Sequence, residues 1–257
     1  MGMNLTEPEQ EAAARLSPHP VLNHYYLRES ERRKKVDEMF DASAPHYEWV
    51  AGMMSFGSGR SYRARALRRH GLEEGMKLLD VGSGTGALAL SAQEQVGPGG
   101  RVVALDPSAG MLAEARANGV ESTVMGLAES IPFNDEEFDM LAMGYALRHV
   151  ADLQQTFAEY RRVLRPGGKV LLLEITCPRN RPGFHLLRFY MRGVVPQITR
   201  VFRRSTEAQM LMRYYWDTIE HCVPPETIVS ALDQAGFEHV QWNAQLGIFS
   251  EYSGIAP

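Results

Sequence analysis

The stretch Lys77-Leu78-Leu79-Asp80-Val81-Gly82-Ser83-Gly84-Thr85-Gly86-Ala87-Leu88-Ala89-Leu90 decides how the chain is read. Leu78, Leu79 and Val81 make a buried strand, glycine then takes every second position, and an Ala/Leu-rich helix follows. With no Cβ in the way, three alternating glycines let the backbone turn sharply and approach a ligand closely. The helix behind the turn offers free N–H groups and the positive end of its dipole to that ligand. Taken alone, the same residues also read as a glycine-rich turn without a ligand.

Beyond the turn, strand and helix patterns alternate as far as residue 175. Strands are expected at Arg101–Asp106, Ser122–Met125, Phe138–Gly144 and Lys169–Ile175, and helices at Ala109–Asn118 and Leu153–Leu164. In the second helix Leu153, Phe157, Tyr160 and Leu164 recur near helical spacing, and Arg165-Pro166-Gly167-Gly168 closes it. Repeated β–α units imply a parallel sheet covered on both faces, right-handed crossovers, and a ligand at the carboxyl ends of the strands. Pro224–Ala235 reads as a helix ended by Gly236, with Phe237–Trp242 and Gly247–Tyr252 as a hairpin at the sheet edge. The expected fold is therefore α/β and Rossmann-like, with a seven-stranded, mostly parallel sheet whose last strand is antiparallel.

Two segments stand outside this alternation. Residues 1–70 read as an N-terminal helical extension and pocket cover, with helical stretches around Glu7–Leu16 and Pro20–Lys35 and a basic helix at Ser61–His70. Within them Arg32-Arg33-Lys34-Lys35 reads as a solvated helix face, and Met53–Gly59 as a segment able to fold over a pocket. Residues 176–223 read as an inserted helical lid between the cofactor-binding core of 71–175 and the helix and hairpin of 224–257. Between Ile175 and Glu207 lie Arg179, Arg181, Arg188, Arg192, Arg200, Arg203 and Arg204 with no Asp or Glu, interleaved with apolar residues. Such a lid suits an anionic membrane surface, an acidic group on a substrate, or plain solvation.

The 257 residues suffice for a full core, and 44% hydrophobic with 23% charged residues is ordinary for a soluble globular protein. A net charge of −4 argues against nucleic acid as a partner. Cys177 and Cys222 are too few for a disulfide framework and lack zinc spacing, so a reducing cytoplasm and no metal are expected. No apolar run is long enough to cross a bilayer, and the start does not look like a signal peptide. At most, contact with a membrane is peripheral. The sequence leaves open whether the chain works as a homodimer.

Asp106 ends the second strand about twenty residues beyond the turn, where a carboxylate can accept from both hydroxyls of an adenosine ribose. Dinucleotides and S-adenosylmethionine are both served by that arrangement. Gly82, Gly84 and Ala87 satisfy the looser G-x-G-x-x-A form of the dinucleotide fingerprint, so a nicotinamide oxidoreductase is a rival reading. The methyl donor is favoured by Gly86, which lets the backbone wrap a small amino-acid moiety. It is favoured also by Leu127–Asp139, where Ala128 supplies a flat wall and a backbone N–H to an adenine.

At this point the chain resembles a family. The segments Leu78–Ala87, Val102–Ala115, Gly126–Asp139, Ala146–Val150 and Tyr160–Glu174 look like a class I S-adenosylmethionine-dependent methyltransferase. More narrowly they are similar to the ubiquinone/menaquinone-biosynthesis (UbiE-like) methyltransferases, over roughly residues 36–252. The resemblance implies the class I methyltransferase fold and S-adenosyl-L-methionine as cofactor. It implies cofactor contacts from Asp80, Gly82, Gly84, Thr85, Gly86, Asp106, Met111, Leu127, Ala128 and Gly144. Tyr47 and His46 match family positions that border cofactor and substrate. Two departures fall near the site. Leu127 stands where the family commonly has Asn, and Gly144-Tyr145-Ala146-Leu147-Arg148-His149 replaces a pattern near Ser-Phe-Gly-Leu-Arg-Asn.

Methyl transfer from a sulfonium needs alignment and exclusion of water, and a phenolic acceptor also needs its proton held. Arg148 and His149, just past the fourth strand, suit that task, His149 as base and Arg148 as stabiliser of a phenolate. The alternatives are a helix cap for His149 and a carboxylate partner for Arg148; Glu174 reads equally as pocket-facing or as a buried, paired carboxylate. Tyr214-Tyr215-Trp216 suit either stacking on a flat acceptor or the core of the lid. The expected function is methylation, at carbon or oxygen, of an aromatic or quinol-like small molecule. Its rivals are the oxidoreductase and a non-catalytic binding protein of the same fold.

Overall fold

The structure is a computed structural model, and it describes residues 15–28, 31–41, 59–195, 197 and 206–257. Seven strands form one sheet: β1 (Lys77–Val81), β2 (Arg101–Asp106), β3 (Thr123–Met125), β4 (Phe138–Gly144), β5 (Leu164–Ile175), β6 (Glu238–Gln245) and β7 (Phe249–Ile255). Their spatial order is β3-β2-β1-β4-β5-β7-β6. The first five pair in parallel, and β7 runs antiparallel to both β5 and β6. The expected seven-stranded sheet with a reversed last strand is what the chain forms. The hairpin enters with its second strand inward, leaving β6 at the edge.

Side chains along each central strand alternate between two cores, as the period of two in a strand requires. Leu79, Val81, Val103, Leu105, Leu141 and Met143 face α5 (Leu153–Val163) and α8 (Pro225–Gln234). Leu78, Val102, Ala104, Met140 and Ala142 face α2 (Gly59–Arg69) and α3 (Ala87–Val96). Both faces are apolar because both are covered, the condition under which a parallel sheet is stable. The direction of winding reverses between β1 and β4, and a crevice opens at their carboxyl ends.

Three local readings are corrected. Residues 20–28 make turns, with Leu22 O accepting from Tyr25 N and Tyr26 N; the helix α1 spans 31–41 instead. The Glu31 carboxylate accepts from Leu27 N across that junction (3.2 Å). Arg165–Gly168 belongs to β5, because Gly167 N donates to Ala256 O and Ala256 N to Gly168 O. Arg32 is not solvated: it is 2% exposed and donates to the carbonyl of Arg148 (2.8 Å).

The lid contains α6 (Arg181–Phe189), a π-helical turn (Tyr190–Val194) and α7 (Thr206–Glu220). It shares a third core with the N-terminal segment, in which Leu22, Tyr26 and Val36 meet Met191, Leu211, Tyr214, Tyr215 and Trp216. Tyr47, His46 and Met53–Ser58 lie outside the described residues.

Candidate active site

The glycine turn has the backbone that its spacing predicts, with φ of 64°, 57° and 87° at Gly82, Gly84 and Gly86. These values fall in the left-handed region that L side chains rarely adopt. Two carboxylates hold the turn. Asp80, fully buried, accepts from Ser83 Oγ (2.7 Å) and from Ala89 N (3.0 Å). It therefore satisfies an open N–H in the first turn of α3, where the helix dipole favours a negative charge. Asp106 accepts from Gly84 N (2.8 Å) and Ser108 N (2.9 Å). One backbone donor per oxygen leaves each with a lone pair for a further donor.

Burial pushes the Asp80 carboxyl up to about 7 against those hydrogen bonds. Burial raises Asp106 to about 6, opposed by Ser108 N and Gly84 N and helped by Asp37 and Asp41 on α1. Asp106 borders the cavity at the strand ends, and Asp80 is not in its wall. Asp41 also accepts from Ser108 Oγ, whose oxygen in turn caps Met111 N in α4 (Ala109–Ala117; 3.0 Å). The end of α1 is thereby tied to the strand end that carries Asp106.

The cavity has a volume of about 310 Å³, at the lower end of the range for small-molecule sites. Gly82, Gly84, Asp106, Met111, Ala128, Gly144 and His149 line it together, so seven of the expected site residues converge. Asp80, Thr85, Gly86, Leu127 and Arg148 are not in its wall. A Cβ on Gly86 would stand 2.4 Å from Val120 Cγ2 and 3.3 Å from Ala115 Cβ. That glycine thus allows the turn to pack on Ala115 of α4 and on Val120 beyond it. Thr85 is buried, and its carbonyl accepts from Asn118 Nδ2 (3.1 Å).

Arg148 is 0% exposed, and its Nη1 is paired with the Glu174 carboxylate. Its Nε donates to Thr218 Oγ1 (3.4 Å), and the guanidinium lies 5.7 Å from the centre of the Tyr215 ring. The carboxylate-partner reading describes its position. His149 does reach the cavity, inside an aromatic surround. Its ring stacks on Tyr214 at 5.5 Å and meets Phe40 and Tyr215 edge-on at 5.1 and 5.8 Å. Nδ1 stands 3.4 Å from the Tyr214 hydroxyl, while the buried Nε2 has no partner among the described residues. Burial, with Arg148, His19 and Arg32 nearby, holds the imidazole well below its ordinary range, so it is neutral near pH 7.

Helix α1 closes the cavity with Arg32, Arg33, Val36, Asp37 and Phe40. The sequence marks residues 1–70 as a pocket cover but picks out none of these five as a cavity residue. The i, i+4 spacing of Arg32, Val36 and Phe40 was the available signal, hidden by a charge run that resembles a surface. Among the described residues, no grouping of His, Cys, Asp or Glu could hold a metal ion, and no helix is long and apolar enough to cross a membrane.

The chain is similar to known proteins at two levels. The ubiquinone/menaquinone biosynthesis C-methyltransferase UbiE of Stutzerimonas stutzeri is 30% identical over 261 residues, covering 98% of this chain and 100% of its own. The [4+2]-cyclase SpnF superposes with a TM-score of 0.64 at 18% identity, over 94% of this chain and 99% of its own. Phosphoethanolamine N-methyltransferase 2 of Haemonchus contortus, in complex with S-adenosyl-L-methionine, gives 0.61 at 18% identity, over 84% of this chain and 57% of its own. These two structures bear on the fold alone. The ubiE/COQ5 methyltransferase family model matches residues 28–255, nearly the whole of the cavity wall included, and the chain belongs to that family as an S-adenosylmethionine-dependent methyltransferase.

Proposed function

We propose that the acceptor is a quinol-like aromatic molecule and that the methyl group goes to a ring carbon beside a phenolic hydroxyl. The observation that carries this reading is the buried, unpartnered Nε2 of a neutral histidine set among Phe40, Tyr214 and Tyr215. Of these rings Phe40 and Tyr215 also line the cavity, with Tyr145, and suit a flat apolar ring, while the nitrogen suits one hydroxyl. The C-methyltransferase relative supports carbon as the methylated atom.

When bound, S-adenosylmethionine supplies an electrophilic methyl on a sulfonium that departs as a neutral thioether. Asp106 accepts from the ribose hydroxyls with the lone pairs its backbone donors leave free. Met111 and Ala128 border the adenine, and Gly82, Gly84 and Gly144 let the backbone approach the rest of the cofactor. With Nδ1–H directed to Tyr214, His149 accepts the phenolic O–H at Nε2 and raises electron density at the neighbouring ring carbon. The bound donor would give its methyl to that carbon and leave as the neutral thioether, and the proton displaced from the ring carbon would pass to solvent water as aromaticity returns. Val36, Phe40 and Met143 keep water from the transferring methyl. Tyr47 belongs to this set through the family resemblance alone.

The test is incubation with the methyl donor and either the reduced or the oxidised form of a short-tailed, ring-unsubstituted naphthoquinone or benzoquinone. The quinol should gain one methyl on carbon, located by NMR, and the quinone none. Methylation confined to oxygen or to an amine panel overturns the reading, and so does donor binding with no turnover on any acceptor.

A further inference from the structure

Helix α6 and the π-turn that continues it carry a surface that the reaction does not use. At about 100° per residue the segment divides into three faces. Phe184, Leu187, Tyr190 and Met191 turn inward onto the core that contains Trp216, Tyr214 and Tyr215. Arg181, His185, Arg188 and Arg192 recur at i, i+4, i+7 and i+11 and make an exposed basic stripe. Beside that stripe, Leu186 and Phe189 are 71% and 68% exposed, one turn apart.

Scattered exposed apolar residues are normal on a soluble protein. Two large ones on a single ridge, flanked by a row of arginines, are the pattern of a helix that lies in a membrane interface. The sequence from Thr176 to Thr206 contains no Asp or Glu, although the whole chain carries a net charge of −4. A protein of that net charge is repelled by an anionic bilayer except where a local basic surface reverses the sign. Among the described residues, the one acidic side chain within 4 Å of the stripe is Asp217, 3.9 Å from Arg192.

We propose that the outer face of α6 is a docking surface for an anionic lipid bilayer. Leu186 and Phe189 enter the boundary between headgroups and acyl chains, while Arg181, Arg188 and Arg192 meet lipid phosphates. The inner face of the same helix packs on α7, whose Tyr215 lines the cavity, so docking brings the lid side of the site to the membrane. The surface deepens the quinol reading by placing the enzyme where a tailed acceptor dissolves, but its test does not depend on the acceptor.

The full chain is sedimented with phosphatidylglycerol-containing vesicles and, separately, with pure phosphatidylcholine vesicles. It should pellet with the anionic vesicles, release at high salt, and ignore the neutral ones. The double variant Leu186→Ser/Phe189→Ser should bind roughly tenfold more weakly or worse. Arg181→Gln/Arg188→Gln should lose the preference for phosphatidylglycerol. Both variants alter exposed side chains, so stabilisation by S-adenosylhomocysteine should be unchanged. Hydrogen–deuterium exchange on the wild type should show vesicle-induced protection confined to residues 181–192, a readout independent of any variant's folding. The proposal fails if the wild type ignores anionic vesicles, if either variant binds as the wild type does, or if no protection appears there. It fails equally if Leu186→Ser/Phe189→Ser instead dissociates a dimer, which would assign the ridge to a second copy of the chain.

Discussion

Arg148 and Glu174 form a fully buried ion pair, joining the short helical turn after β4 to the end of β5. The residue beside Arg148 in sequence, His149, is the one that enters the cavity wall. A charge pair out of water contributes little net stability, but losing one partner strands the other. Arg148→Ala should therefore lower stability by about 3–5 kcal/mol in denaturant unfolding. Arg148→Met combined with Glu174→Leu should recover most of that loss. Persistence of the full deficit in the double variant would show that Arg148 contributes chiefly through Thr218 and Tyr215.

Cofactor affinity should depend on the protonation of Asp106. Burial pushes its carboxyl up to about 6. Protonation below that pH removes acceptor capacity, and donated ribose hydroxyls favour the ionised form. Calorimetric affinity for S-adenosylhomocysteine should thus be constant above pH 7 and weaken as pH falls through 6. Asp106→Asn should weaken binding roughly tenfold to a hundredfold at pH 7.5, about 1.4–2.8 kcal/mol, and remove that dependence.

His149 tests the acceptor side alone. His149→Phe keeps the aromatic stacking and deletes the nitrogens, so affinity for S-adenosylhomocysteine should stay within about twofold. Turnover on the quinol should fall by roughly a hundredfold, the low end for loss of a proton-handling group. Because burial holds this imidazole well below its ordinary range, the wild-type rate should show no histidine limb between pH 6 and 8. A limb near 6.5 that vanishes in His149→Phe would mean a solvated ring.

Glu251 on β7 should govern acid stability. Burial disfavours its charge, but hydrogen bonds from His70 (2.9 Å), Arg69 and Tyr62 (2.8 Å) outweigh burial and hold the carboxyl at about 2. A depressed pKa contributes stability that is present above the unfolded value near 4.5 and lost as pH falls towards 2. Glu251→Gln should cost roughly 2 kcal/mol at pH 7. In parallel melts, the gap between variant and wild type should narrow from pH 4.5 downward.

The sequence by itself determined the parallel core and the glycine turn that borders the cavity. Apolar runs such as Leu78-Leu79 and Val102-Val103-Ala104-Leu105, bounded by glycine turns, read as strands buried on both faces. Glycine at 82, 84 and 86 requires the left-handed backbone that the turn adopts. Both signals are local, written within a few consecutive residues. The roles of Asp80, Gly86, Arg148 and the α1 side chains were decided only by the tertiary structure, because each depends on a partner distant in sequence. Val120 explains Gly86, Glu174 claims Arg148, and the carbonyl of Arg148 together with His19 draws Arg32 out of solvent. A charged residue is read as solvated until a buried acceptor is found for it, and only three-dimensional proximity supplies one.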